Sequence, residues 1–277
     1  MNASASAETQ IVEVATGIEM TYRRVGSGDP LLMIMGTSGS LGLWGAVEPG
    51  LTDAHEVISF DNRGLGATEP GEGELSMRSM AEDTAALLDA LDLKRVHVCG
   101  WSLGSAVAQE LALAHPDRVG ALVLYGTWGR VDGFQTALLS ALSHPWETGD
   151  LEAALTALGL AFSPELLASP DYAALMEQLR PLFPSTAAQV EATARQWRAD
   201  LAHDTLDRLH EISAPTLVVA GEQDLLTPPW QCRAVADLIP GARYECLTGP
   251  GSSHALAFER TEEFVALVRG FLGEQGL

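Results

Sequence analysis

Val96-His97-Val98-Cys99-Gly100-Trp101-Ser102-Leu103-Gly104-Ser105-Ala106-Val107-Ala108 decides how the rest of this chain reads. The run opens as an apolar stretch, His97 apart, of the kind that forms a buried strand. It passes through Gly-Trp-Ser-Leu-Gly and continues over 106–114 in strong helix formers. A strand, then G-x-S-x-G, then a helix places Ser102 on a tight, strained turn with its hydroxyl held at the strand's end. Gly100 and Gly104 fit because a side chain at either place would crowd the turn or the strand–helix contact. The pentapeptide alone would also suit a glycine-rich turn carrying an ordinary serine, so the flanking elements have to decide.

Working outward, apolar runs at 11–15 and 18–25 read as two strands joined at Gly17. Residues 31–35 form a continuous apolar strand that ends in the small-residue loop Gly36-Thr37-Ser38-Gly39-Ser40. A strand at 56–60 runs into a second glycine loop, 61–68, and residues 77–91 have the spacing of a helix. After the strand 119–125 the texture changes. Residues 128–203 show helical periodicity and no strand, with helices expected near 132–143, 149–160, 171–180 and 186–202, punctuated by Pro145, Pro164, Pro170, Pro181 and Pro184. Strand and helix alternate again at 216–220, 229–238, 242–247 and 261–272. This alternation implies an α/β fold, a mostly parallel sheet with helices on both faces. The expected division is a core over 1–127 and 206–277, with 1–9 a disordered tail, and a helical cap over 128–205 lying above the site.

Composition bounds the function. Net charge is -21, with a single lysine, Lys94, which argues against nucleic acid or an anionic membrane as partner. Mean hydropathy is +0.10 and no apolar run approaches the roughly 20 residues of a membrane span. The N-terminus has no basic region followed by an apolar core, so a cytoplasmic location is expected. Cys99, Cys232 and Cys246 have no metal-type spacing, and no metal site is expected; Cys99 should be a buried small hydrophobe. Ala- and Arg-rich, Lys-poor usage points to a GC-rich bacterial genome.

A serine hydroxyl near neutral pH needs a general base, and the base needs an orienting carboxylate. Asp224 follows the strand 216–220 by four residues, and His254 is the one histidine of seven in a loop after a late strand. Asp132, after an earlier strand, is the weaker alternative acid. Acyl transfer also needs donors for a tetrahedral oxyanion. The Leu103 amide is suitably placed, and the second donor is expected from the loop after 31–35, with Thr37 preferred to Ser38. Trp101, Trp128, Phe134 and Trp197 are candidate pocket residues.

With these residues in view, the chain resembles the α/β-hydrolase superfamily over nearly its whole length, in the manner of its serine esterases and lactonases with a helical cap. The resemblance rests on the Gly36 loop, Asp61-x-Arg63-Gly64-x-Gly66, Gly100-Trp101-Ser102-Leu103-Gly104, Gly221-x-x-Asp224-x-x-x-Pro228 and Gly251-Ser252-Ser253-His254. It implies an eight-stranded, mostly parallel sheet with an inserted all-helical cap. It also implies a Ser102–His254–Asp224 triad, no cofactor, and a structural role for Arg63. Many members have His-Gly where this chain has Met35-Gly36, which weakens any transfer of substrate class. Dehalogenases and epoxide hydrolases of the superfamily carry Asp at the nucleophile position, and Ser102 argues against both. The expected activity is cleavage of a small, largely apolar ester, lactone or thioester. The alternative is transfer of the acyl group, from a small molecule or an acyl carrier protein, to an alcohol, amine or peptide. A monomer and a homodimer both fit, and a non-enzymatic ligand receptor would be expected to have lost one of the three residues.

Overall fold

The computed structural model describes residues 8–277. Most of the tail expected at 1–9 lies outside the described residues. An eight-stranded sheet forms the centre, in the order β1-β2-β4-β3-β5-β6-β7-β8. The strands are β1 (Gln10–Val14), β2 (Ile18–Gly26), β3 (Asp29–Ile34), β4 (His55–Phe60), β5 (Val96–Trp101), β6 (Val119–Tyr125), β7 (Thr216–Gly221) and β8 (Arg243–Leu247). β1 and β2 form the antiparallel hairpin turned at Gly17, and β2 pairs antiparallel with β4. Every other pairing is parallel. This is the α/β-hydrolase fold read from the sequence.

The helices are α1 (Met77–Ala90), α2 (Leu103–Ala114), α3 (Gly133–Thr148), α4 (Leu151–Ala157), α5 (Pro164–Leu167), α6 (Tyr172–Leu179), α7 (Ala187–Ala202), α8 (Pro229–Leu238), α9 (Leu256–Glu259) and α10 (Thr261–Leu272). One apolar cluster joins one sheet face to α1, α2 and α8, with Leu87, Leu111 and Val235 fully buried. A second joins the other face to α10 and to a 3-10 turn at Leu41–Ala46, through Trp44, Phe264 and Val268. Helices α3 to α7 all fall between β6 and β7 and hold a third cluster, including Leu139, Trp146, Leu155 and Trp197. Among the described residues, no helix is long and apolar enough to cross a membrane.

Two local expectations change. The helix expected to end at 143 continues through Pro145 to Thr148, because its stop is Gly149, left-handed at φ 74° and closing on the Pro145 and Trp146 carbonyls. Pro164 starts α5 rather than breaking a helix. Its fixed φ suits the first helical position, and the Ser163 side chain caps the turn by accepting from the Leu166 amide at 3.1 Å. Arg63 is structural, as expected: it makes a two-pronged, buried pair with Asp83, both bonds 2.5 Å.

The approach of α2 to β3 fixes where Ser102 stands. A Cβ on Gly104 would lie 2.1 Å from the Ile34 carbonyl oxygen, a backbone atom that cannot swing away. Gly104→Ala should therefore push α2 off the sheet and lower the free energy of unfolding by about 3 kcal/mol or more, measured by urea denaturation; a wild-type midpoint would contradict so close an approach.

His97, the polar exception in its strand, is fully buried, and neither ring nitrogen has a hydrogen-bond partner among the described residues. Burial pushes its pKa down to about 4, helped by His55 and Arg95 and opposed by Asp29. The folded value lies below the unfolded value of about 6.5, so the unfolded chain takes the proton first as pH falls. The stabilisation is complete above about pH 6.5 and lost on descent to 4. Between pH 7.5 and 4 the wild type should lose about 3 kcal/mol more than His97→Leu in urea titrations. Equal losses in the two proteins would rule out a proton-free folded His97.

Candidate active site

Ser102 joins β5 to α2 with φ 55° and ψ -123°, a conformation that a non-glycine residue adopts only when its surroundings hold it. Its amide donates to the Tyr125 carbonyl at 2.9 Å. Its own carbonyl accepts from the Ser105 amide at 2.7 Å and the Ser105 hydroxyl at 2.6 Å. The loop after β3 passes directly against it: a Cβ on Gly36 would stand 3.2 Å from the Ser102 Cβ and 3.9 Å from its Oγ. The Thr37 amide in that loop and the Leu103 amide in the first turn of α2 have no hydrogen-bond partner among the described residues.

Asp224 lies in the loop after β7 and is 2% exposed. Its Oδ1 accepts from the Leu226 and Thr227 amides, each at 2.9 Å. Its Oδ2 accepts from the Thr227 hydroxyl at 2.7 Å and stands 2.8 Å from His254 Nδ1. The carboxylate is therefore held by its own turn and aimed at one ring nitrogen. A bond to the carboxylate places the imidazole proton on Nδ1 and leaves Nε2 as the acceptor.

His254 sits in the loop between β8 and α9 and is 4% exposed. Its carbonyl accepts two hydrogen bonds, from Trp101 Nε1 at 3.1 Å and from the Tyr125 hydroxyl. The Trp101 and Tyr125 rings stack at 5.7 Å with 11° between planes. Burial, then the nearby Asp224 charge, pushes the Tyr125 hydroxyl well above the ordinary tyrosine range, which keeps it a neutral donor. Under the imidazole lies Gly126, left-handed at φ 59°; a Cβ there would come within 3.1 Å of His254 Cε1 and of Thr227 Oγ1. Thr227, Tyr125 and Gly126 were not singled out from the sequence, although the Gly after an apolar strand was a visible signal.

Ser102, His254, Thr37, Trp101 and Trp197 line one cavity of about 60 Å³. Asp224 touches it only through His254. The walls are apolar, with Leu158, Phe162, Phe183 and Leu226 supplied by the cap and the acid loop, and no Asp, Glu, Lys or Arg among them. Two expected lining residues are elsewhere. Trp128 is 1% exposed and packs into the cluster around α1, α2 and α8, with the His203 ring edge-on to it at 5.5 Å. Phe134, second residue of α3, is on the surface and packs edge-on against Trp230 at 5.7 Å. Asp132 is not an acid for His254. It caps α3, accepting from the Gln135 amide at 2.8 Å, and also accepts from Trp230 Nε1 at 2.9 Å.

The cap also grips the loop after β3. Asp200 Oδ2 on α7 accepts from the Thr37 hydroxyl at 2.7 Å, and Gln196 Oε1, one turn earlier, accepts from the Ser38 amide at 2.9 Å. Cys99 is buried, and burial pushes its thiol up to about 12. Among the described residues no three His, Cys, Asp or Glu side chains are grouped so as to hold a metal ion.

Residues 29–261 match the family model described as the alpha/beta hydrolase fold. The chain is 31% identical over 259 residues to the protein named "Putative carbamate hydrolase RutD" of Azorhizobium caulinodans, covering 92% of this chain and 96% of that one. It is 30% identical over 260 residues to pyrrolizixenacetamide deacetylase of Xenorhabdus hominickii, covering 92% and 94%. The enol-lactonase of Burkholderia xenovorans superposes with a TM-score of 0.84 at 25% identity, covering 95% of this chain and 100% of that one. With a family model matched over most of its length and relatives aligned nearly end to end, the chain belongs to the α/β-hydrolase family.

Proposed function

We propose that this α/β hydrolase is a serine enzyme that cleaves a small, largely apolar carboxylic ester, lactone or thioester through an acyl-enzyme on Ser102. The observation that carries the reading is the buried His254 Nδ1–Asp224 Oδ2 contact of 2.8 Å beside Ser102 at an apolar cavity. Asp224 fixes the ring and its tautomer, and stabilises the imidazolium that forms. His254 Nε2 takes the serine proton as Oγ attacks the carbonyl carbon, and later gives it to the leaving group. The Thr37 and Leu103 amides, without a hydrogen-bond partner among the described residues, bind the oxygen that becomes negative. Water then attacks the acyl-enzyme, with His254 as base.

The relatives are described as acting on a carbamate, an acetamide derivative and an enol-lactone, so carbonyl cleavage is common to them while the leaving group varies. The cavity argues for the acyl side. About 60 Å³ is well under the roughly 300 Å³ at the lower end of sites for drug-sized ligands. No charged side chain lines it, so a carboxylate on the acyl group would be buried unpaired. A short, uncharged acyl group suits the space. The chain's net charge of -21 also disfavours anionic substrates.

A fluorophosphonate probe should label the wild type at Ser102, and Ser102→Ala should lose at least about three orders of magnitude in kcat on p-nitrophenyl acetate. Near wild-type turnover in that variant would end the serine reading. Across p-nitrophenyl esters, kcat/KM should peak at acetyl to butyryl and fall at least about tenfold by octanoyl. A hemisuccinyl ester should be poorer than butyryl by a similar factor, and a preference for the charged or long acyl group would refute the size and polarity argument. Product analysis with added alcohols or amines distinguishes hydrolysis, which yields the acid alone, from acyl transfer.

A further inference from the structure

Asp200 is a buried carboxyl that the reaction scheme above does not use. It is 2% exposed, its Oδ1 has no hydrogen-bond partner among the described residues, and its only side-chain contact of that kind is the Thr37 hydroxyl. No arginine or lysine pairs with it in the described structure. Gln196, fully buried one helical turn earlier, takes the next amide of the same loop. Both grips fall around Thr37, whose amide is one of the two oxyanion donors in the proposed function. Ser38, which follows it, is held left-handed at φ 64°. That conformation costs energy for a serine and needs contacts to maintain it. From the core side, Asn62 Nδ2 donates to the Met35 carbonyl at 2.9 Å, just ahead of the loop. The loop thus hangs between the sheet and α7.

We infer that Asp200 and Gln196 are positioning residues for the oxyanion loop, so that the cap, through two hydrogen bonds from one face of α7, sets where the Thr37 amide stands. This rests on the serine-hydrolase reading given above. Oxyanion donors act only when held where charge develops, and loss of one such donor lowers kcat by roughly a hundred- to a thousandfold. Misplacing the donor by loosening its loop should cost part of that.

The state of Asp200 follows from its surroundings. Burial pushes its pKa up to about 8, only partly offset by the Thr37 hydroxyl. At pH 7 it is a neutral acid, which places no charge beside the developing oxyanion. Burial and the Thr37 hydroxyl account for its shift, and no charged side chain contributes to it. His203, three residues on, is pushed down to about 4 by its own burial. Above about pH 8 Asp200 ionises, and a buried negative charge next to Thr37 opposes the oxyanion. The sign is therefore a loss of kcat on the alkaline side, set by a residue that never touches substrate.

The test compares Asp200→Ala, Asp200→Asn, Gln196→Ala and Thr37→Val on p-nitrophenyl acetate from pH 5.5 to 9.5, with thermal unfolding as the check on folding. Asp200→Ala and Gln196→Ala should lose about ten- to a hundredfold in kcat with KM changed less than about threefold. Thr37→Val, which keeps the amide and loses the hydroxyl, should lose kcat in the same way, and it remains informative if Asp200→Ala does not fold. Asp200→Asn should recover most of the loss, because its amide oxygen can still accept from Thr37, and its kcat should stay flat past pH 8 where the wild type declines. Wild-type kcat and pH profile in Asp200→Ala would overturn the inference. So would equal losses in the Ala and Asn variants with an unchanged alkaline limb. If Ser102→Ala were active, the serine reading itself would fail; if Ser102→Ala is dead and fluorophosphonate still labels fully active α7 variants, only this inference fails.

Discussion

The backbone of Ser102 is the constraint on which the site depends. A serine at φ 55° and ψ -123° costs on the order of 1–3 kcal/mol, and the chain would relax if its neighbours allowed it. They do not. The Ser102 amide is tied to β6 through the Tyr125 carbonyl, and its own carbonyl is held by Ser105. Gly104 lets α2 approach the end of β3 so closely that a methyl group would not fit. The strain is thus imposed by the sheet and the first turn of the helix together. Its consequence is a hydroxyl carried clear of both elements, at the positive end of α2, where negative charge is best tolerated.

The same two aromatic residues that flank this turn hold His254, the base in the proposed mechanism. Trp101 precedes the serine and Tyr125 receives its amide, and both donate to the carbonyl of His254. Ser102 and His254 are therefore both tied to one stacked pair of rings that spans β5 and β6. The cap is tied to this assembly as well. Glu259 on α9 accepts from the Ser163 amide in the cap at 2.9 Å and from the hydroxyl of Ser253, the residue before His254, at 2.5 Å. Ala255, the residue after it, donates to the Ala161 carbonyl at 2.9 Å. The histidine loop and the loop after β3 each have one side on the sheet and one on the cap.

How much of this can be read in advance depends on the range of the interaction. Ser102 follows β5 directly, and Asp224 and His254 lie in the loops after β7 and β8, with glycine or other small residues nearby; in a parallel sheet such connections share one end. Local pattern therefore suffices for them and for the order of layers. Trp101 and Tyr125 act on a carbonyl 153 and 129 residues away, and nothing local announces it. Trp128 and Phe134 mislead because the chain pattern does not give the direction of a side chain just beyond a strand or in the first turn of a helix. Thr193, Gln196 and Asp200 lie in α7 and are all buried, although polar residues at that spacing ordinarily mark a solvated face.

In the proposed mechanism the oxyanion is stabilised by dipoles rather than by a charged side chain. The chain carries net -21, and its cations are mostly engaged at the surface, as Arg180 is by Glu152 and Arg243 by Glu274. Surface charges lying beyond the Debye length of about 8 Å at physiological ionic strength are largely screened. A charge inside the cap would not be. With no cation lining the cavity, the proposed mechanism relies on fixed N–H groups at the start of α2 and in the loop after β3. Such donors are worth most in a dry, apolar site, and worth little if their loop can swing away. A cap that both lines the cavity with Trp197 and pins the loop from the same helix meets both requirements with one element. On this account the helices between β6 and β7 are more than a roof that selects substrates: the oxyanion site is complete only when α7 is docked.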